Sequence, residues 1–168
     1  MSTKIYNKLV RDKIPEIIEA DGKTCTTKIL SDEHLIVPMS EHRTFKYLKK
    51  KLLKAIMLYA DDKGRIKLLD IVSYFCEFYE SRRQNGLVVE KKNSIFAKGG
   101  YTHKEAERNI LSNPFKRFED MNMLRHTKTL GIVEVDSTIW KKLSNEDKIE
   151  IERVCEDKLE RYYSKMMK

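Results

Sequence analysis

The sequence predicts a mainly α-helical protein with short β elements, on three observations. Apolar residues recur at three- and four-residue spacing over 44–60, 66–83 and 144–162. Runs of β-branched residues are few and short, TCTTKIL at 24–30 and LGIVEV at 130–135. Capping residues stand just before several of the helical runs.

The elements follow in order. A short helix begins near Pro15, carries an Ile14, Ile17, Ile18 stripe and ends at Gly22. Residues 24–30 read as a strand, and 31–43 as a loop broken by Pro38. Thr44 can cap a helix whose face is Phe45, Leu48, Leu52, Ala55, Ile56 and Tyr59. ADDKG supplies a turn into a second helix, 66–83, with Ile66, Leu69, Val72, Phe75, Cys76 and Tyr79 inward. Leu68, Ile71 and Phe78 give that helix a second apolar flank, so it is central or lies in a subunit interface. The short connection makes the two helices an antiparallel hairpin. A helix over 103–111 is broken by Asn113-Pro114, and 115–124 holds another short helix. LGIVEV is a strand. Asp136 or Ser137 caps a short helix containing Trp140, and Ser144 with Asp147 opens a long last helix by a capping box.

Composition bounds the function. With 40% hydrophobic and 36% charged residues, the chain reads as a soluble globular protein. No apolar run approaches the roughly 18–20 residues that span a bilayer, so no membrane partner is expected. The N-terminus lacks a secretory signal. Three cysteines, Cys25, Cys76 and Cys155, are too scattered for a disulfide framework or a zinc site and suggest a reducing, cytoplasmic setting. The net charge of +8 favours anionic partners: a nucleotide or other phosphate ligand, a nucleic acid, or an acidic protein surface. Residues 41–68 alone hold nine Lys/Arg against three Asp/Glu. A solvated lysine-rich face there would bind nucleic acid with a steep salt dependence.

Four segments, IYNKLVRDKIPEIIEADGK, FKYLKKKLL, LLDIV and KK…KGGY, occur in that order. Together they resemble the MazG-like, phosphoribosyl-ATP-pyrophosphohydrolase-like branch of the all-α NTP pyrophosphatase superfamily, the "house-cleaning" nucleotide pyrophosphohydrolases. The resemblance covers about residues 4–101. It implies a MazG-like antiparallel helical core in residues 1–102, with 103–168 an added α(+β) C-terminal extension packed on it. It also implies a homo-oligomer, and a nucleotide pocket near the N-terminal segment and KGGY.

Members of that family hold Mg²⁺ with two adjacent glutamates and a third on one helix, and a Glu-x-x-Asp pair on the next. In this register the first three positions are Lys54, Ala55 and Leu58, and the pair reads Lys67…Asp70. Only Asp70 keeps a metal-ligating carboxylate, and one carboxylate beside two ammonium groups is a poor Mg²⁺ site. The resemblance therefore implies a catalytically degenerate pyrophosphohydrolase, with Asp70 a remnant neutralised by Lys67 and by Lys54 across the hairpin. No cofactor is expected in that case. An active enzyme converting NTP to NMP and pyrophosphate is the alternative. It would need Mg²⁺ and acids from elsewhere, such as Asp61, Asp62, Glu77 or the C-terminal helix. A third reading is a non-enzymatic nucleic-acid-binding or scaffold protein using the 41–68 face. Candidate phosphate contacts are Lys8, Arg11, Lys13, Lys54, Lys67, Lys91, Lys92 and Lys98, with Gly99-Gly100 allowing close backbone approach.

Overall fold

The computed structural model describes residues 43–167, with side chains from Leu48 onward. The N-terminal helix, the strand at 24–30, residues 31–42 of the loop, and Lys8, Arg11 and Lys13 lie outside the described residues. Thr44, expected to cap the next helix, lies inside it, since that helix already starts at Arg43. The elements are α1 (Arg43–Tyr59), β1 (Arg65–Lys67), α2 (Leu68–Gln84), α3 (Ile95–Lys98) and α4 (His103–Ile110). A π-helical turn (Leu111–Phe115), α5 (Lys116–Asp120), β2 (Leu124–Thr127), β3 (Ile132–Val135), α6 (Ser137–Lys142) and α7 (Asn145–Met166) complete them. The fold is mainly α, with one small antiparallel sheet of order β1-β3-β2. Among the described residues no helix is long and apolar enough to cross a membrane.

The sheet revises the expected start of α2. Arg65–Lys67 pairs with β3, with Ile66 opposite Val133, so the helix begins at Leu68. The exposed-buried-exposed alternation of this tripeptide has the two-residue period of a strand, and Ile66 is buried beneath the sheet. Leu69, expected inward, is 63% exposed, because the later start turns it out of the core. Strand β2, which the sequence reading assigned no strand, forms a hairpin with β3 in which Leu124 faces Val135. Its LRHT carries only one buried residue, too weak an alternation to read.

Pro114 does not break its helix. The backbone widens into the π turn and resumes as α5. An inserted residue accommodates the missing N–H and the clash of the proline ring with the preceding turn. The other caps form as expected. Asp136 accepts from the Thr138 and Ile139 amides, and Ser144 and Asp147 make a reciprocal capping box.

Helix α2 is central. Ile71, Val72, Phe75 and Tyr79 are buried in its contacts with α1 and α4. It runs in the opposite sense to α1, since Tyr59 meets Tyr74 while Lys51 meets Phe78 and Tyr79. The larger partner of α1 is α7. Lys51 reaches Tyr163 and Lys54 pairs with Glu156, so these helices too are antiparallel. Residues on either side of position 102 share one sheet and one apolar core, which extends from Leu48 to Cys155.

Trp140 fixes α6 to the α1–β1 turn. Its ring lies on Gly64, and its indole N–H donates to the Asp62 carbonyl at 3.0 Å. Gly64 has φ +76, and a Cβ there would lie 2.8 Å from the indole Cγ. Only glycine meets both demands.

Candidate functional site

Of the positions that the resemblance equates with metal ligands, only Asp70 is a carboxylate. Ala55 is buried in the core, Leu58 is 42% exposed, and Asp70 and Lys67 are exposed. Lys54 turns to Glu156 on α7, because α7 lies antiparallel on that face of α1. No ion pair joins Asp70 to Lys54 or Lys67 among the described residues, which corrects the expected neutralised remnant. Among the described residues no three His, Cys, Asp or Glu side chains cluster as metal ligands.

Among the described side chains of 48–68, Lys63, Arg65 and Lys67 are exposed, but the lysines of α1 are not an open basic face. Lys50 and Lys51 are buried, Lys49 is half-buried, and Arg65 pairs with Asp61. Burial, reinforced by the Arg117 charge, pushes the Lys49 amine down to about 8. The lysines that composition assigned to solvent lie largely at helix contacts, their stems packed with the apolar face.

Lys51 belongs to a buried polar cluster that sequence reasoning missed. Its Nζ is 0% exposed, has no hydrogen-bond partner and lies 4.0 Å from the Tyr79 ring centroid, over Phe78. Burial without a partner holds its pKa well below the ordinary lysine value, against a smaller opposing effect of Glu90. Glu90 is itself buried and accepts hydrogen bonds from the hydroxyls of Tyr79 (3.3 Å), Tyr163 (3.3 Å) and Tyr162. The Arg82 guanidinium stacks 3.8 Å from the Tyr163 centroid. This enclosed cluster joins α1, α2, the 85–94 loop and the end of α7. Its members are buried or half-buried, and it ties these elements together. One signal was in the sequence: Lys51 lies three residues after Leu48 and four before Ala55, on the apolar stripe.

An open site lies on the other side of α2. A groove of about 900 Å³ runs between the α3–α4 loop, the outer face of α4 and its π turn, and strand β2. Helix α4 starts at a capping box, in which the Thr102 hydroxyl accepts from the Glu105 amide and Glu105 accepts from Thr102. Ala106 and Ile110 anchor one face of this helix in the core. That orientation brings Arg108, Asn109 and Ser112 to the groove, with Tyr101, Leu111 and Phe115 as apolar lining and His126 on β2.

Three cations line the groove: Lys98, Arg108 and Lys128. None makes an ion pair among the described residues. The two carboxylates present are engaged elsewhere, Glu105 in the cap and Glu119 with Lys116 at 3.2 Å. The Thr102 backbone amide and hydroxyl, helped by the nearby Arg108 charge, hold the Glu105 carboxyl below its ordinary value, so it stays a committed acceptor. Lys98, Gly99 and Gly100, expected near a phosphate, all line this groove, whereas Lys91 and Lys92 are exposed beyond it. The loop is fixed by Arg83, which donates to the Phe96 carbonyl at 2.6 Å. Gly99 lies against that guanidinium with φ +73, and a Cβ there would come within 3.2 Å of it. Unpaired cations over an apolar lining can hold a phosphate-bearing ligand with a flat, apolar part.

Compared with family models, curated proteins and solved structures, the chain matches none.

Proposed function

We propose that the chain binds a nucleic-acid duplex through α4–α5 and the β2–β3 hairpin. The order α1, β1, α2, α4–α5, β2, β3, with sheet order β1-β3-β2, has the form of a helix-turn-helix unit carrying a β-hairpin wing. In such units the second helix enters the major groove, where an α-helix fits and Arg and Asn side chains can read base edges. The observation that carries the reading is the outer face of α4. Its Arg108 and Asn109, with Ser112 on the π turn, share the groove with Lys98 and Lys128, which make no ion pair among the described residues. Those lysines suit phosphates flanking the helix.

Fluorescence anisotropy with a labelled duplex tests this reading. Binding should weaken steeply with salt, and Lys98→Ala and Lys128→Ala should each lower the log–log salt slope by about 0.9. Arg108→Ala should weaken binding, while Lys165→Ala on α7 should not. Salt-independent binding, or none, would overturn the proposal.

A second reading has one observation in its favour. Lys98–Tyr101, which the resemblance assigns to a nucleotide pocket, lines this same groove. A hydrolysis-deficient MazG-like chain would bind a free nucleotide here. An NTP that displaces the labelled duplex at micromolar concentration, with no pyrophosphate released, would favour that reading.

A further inference from the structure

We infer that the groove takes one unstacked nucleobase, so that the preferred ligand is a duplex ending in a single-stranded overhang. The inference rests on the duplex-binding reading above. Phosphates satisfy Lys98 and Lys128, but neither they nor the polar base edges of a paired duplex cover the apolar lining of Tyr101, Leu111 and Phe115. The volume of about 900 Å³ lies within the range of pockets that enclose small molecules. A splayed base is the part of a nucleic acid that is flat, apolar on its faces and still attached to a phosphate.

Two rings in the lining are only partly buried and so keep surface for stacking, Tyr101 and His126. Both are held from behind. Tyr101 packs edge-on against Phe96 at 5.1 Å between centroids, and Phe96 stacks on Tyr79 at 4.3 Å and 18°. His126 meets the buried Phe115 at 6.0 Å. The groove is therefore formed before the ligand arrives, and a base entering it does not have to order the rings that receive it.

The test compares a blunt duplex with the same duplex carrying a three-nucleotide overhang that contains 2-aminopurine. The overhang form should bind about tenfold more tightly, with the 2-aminopurine fluorescence quenched on binding. Tyr101→Leu should bring the ratio of overhang to blunt affinity down to about one, while Tyr101→Phe should keep the preference. His126→Ala, which removes the second ring, should reduce it independently. Equal, salt-dependent affinity for both duplexes would overturn the inference and leave duplex binding standing. A Tyr101→Leu variant that weakens both alike would overturn it as well. Failure to bind either duplex would remove both proposals together.

Discussion

Replacing Glu90 by Leu tests whether one buried carboxylate fastens the end of α7 to the core. The substitution keeps most of the side-chain volume and removes both acceptor oxygens. Tyr79, Tyr162 and Tyr163 then lose their acceptor together, as does the Lys91 amide, which donates to the same carboxylate at 3.1 Å. A buried donor left unpaired costs about 1–3 kcal/mol. Tyr79 is fully buried but keeps the Tyr163 hydroxyl as a hydrogen-bond neighbour, so it should bear the lower part of that range, about 1 kcal/mol, and Tyr162 and Tyr163, at 6% and 5% exposure, can turn toward water at similar or lower cost. Against this stands the relieved desolvation of the carboxylate itself. The net loss should be about 2–3 kcal/mol, a large part of the roughly 5–15 kcal/mol that stabilises a domain. Urea unfolding followed by far-UV circular dichroism measures it as a lowered midpoint with an unchanged slope. In a Tyr79→Phe background the same substitution should cost about 1 kcal/mol less, because that hydroxyl is no longer present to be orphaned. A loss below about 1 kcal/mol, or strict additivity with Tyr79→Phe, would refute the reasoning.

The remaining predictions concern the lysines, the Trp140 contact and Asp70. Lys49 and Lys51 hold depressed folded pKa values, so above them the unfolded chain binds protons that the folded chain has released. Stability should therefore rise from about pH 8, where Lys49 titrates, to about pH 10, where ionisation of the buried tyrosines in the unfolded chain begins to oppose it. Each such lysine contributes a slope of up to about 1.4 kcal/mol per pH unit, and Lys51→Met should flatten the profile and raise the urea midpoint at pH 7. A profile flat from pH 8 to 10 in the parent chain would contradict the burial of both amines. Gly64→Ala should cost about 2–4 kcal/mol, combining the left-handed backbone with the collision at Trp140, and calorimetry would read it as a lowered Tm. Asp70→Asn should change stability by no more than about 1 kcal/mol, since the carboxylate is exposed and has only the helix N-terminus to favour it. A larger loss in urea unfolding would restore the buried ion pair that the sequence suggested.

Local chemistry carried much of this fold into the sequence. The caps at Asp136 and Ser144, the apolar stripes of α1, α2 and α7, and strand β3 depend on residues close together in the chain, and each could be read there. Lys98-Gly99-Gly100 was legible as a turn carrying a cation, and these residues line the groove. Partner choice was not legible. Arg65–Lys67 became a strand because β3, over sixty residues away, supplied its hydrogen bonds. Lys54 and Lys51 left the solvent because α7 came to lie on α1. Glu90, between two valines and two lysines, reads as a surface acid until three tyrosines from α2 and α7 converge on it. The groove needed the same long-range meeting, since α4 and β2 face each other only after the hairpin pairs with β1. Periodicity and capping are written in neighbouring residues, whereas burial of a charge is decided by whatever packs against it.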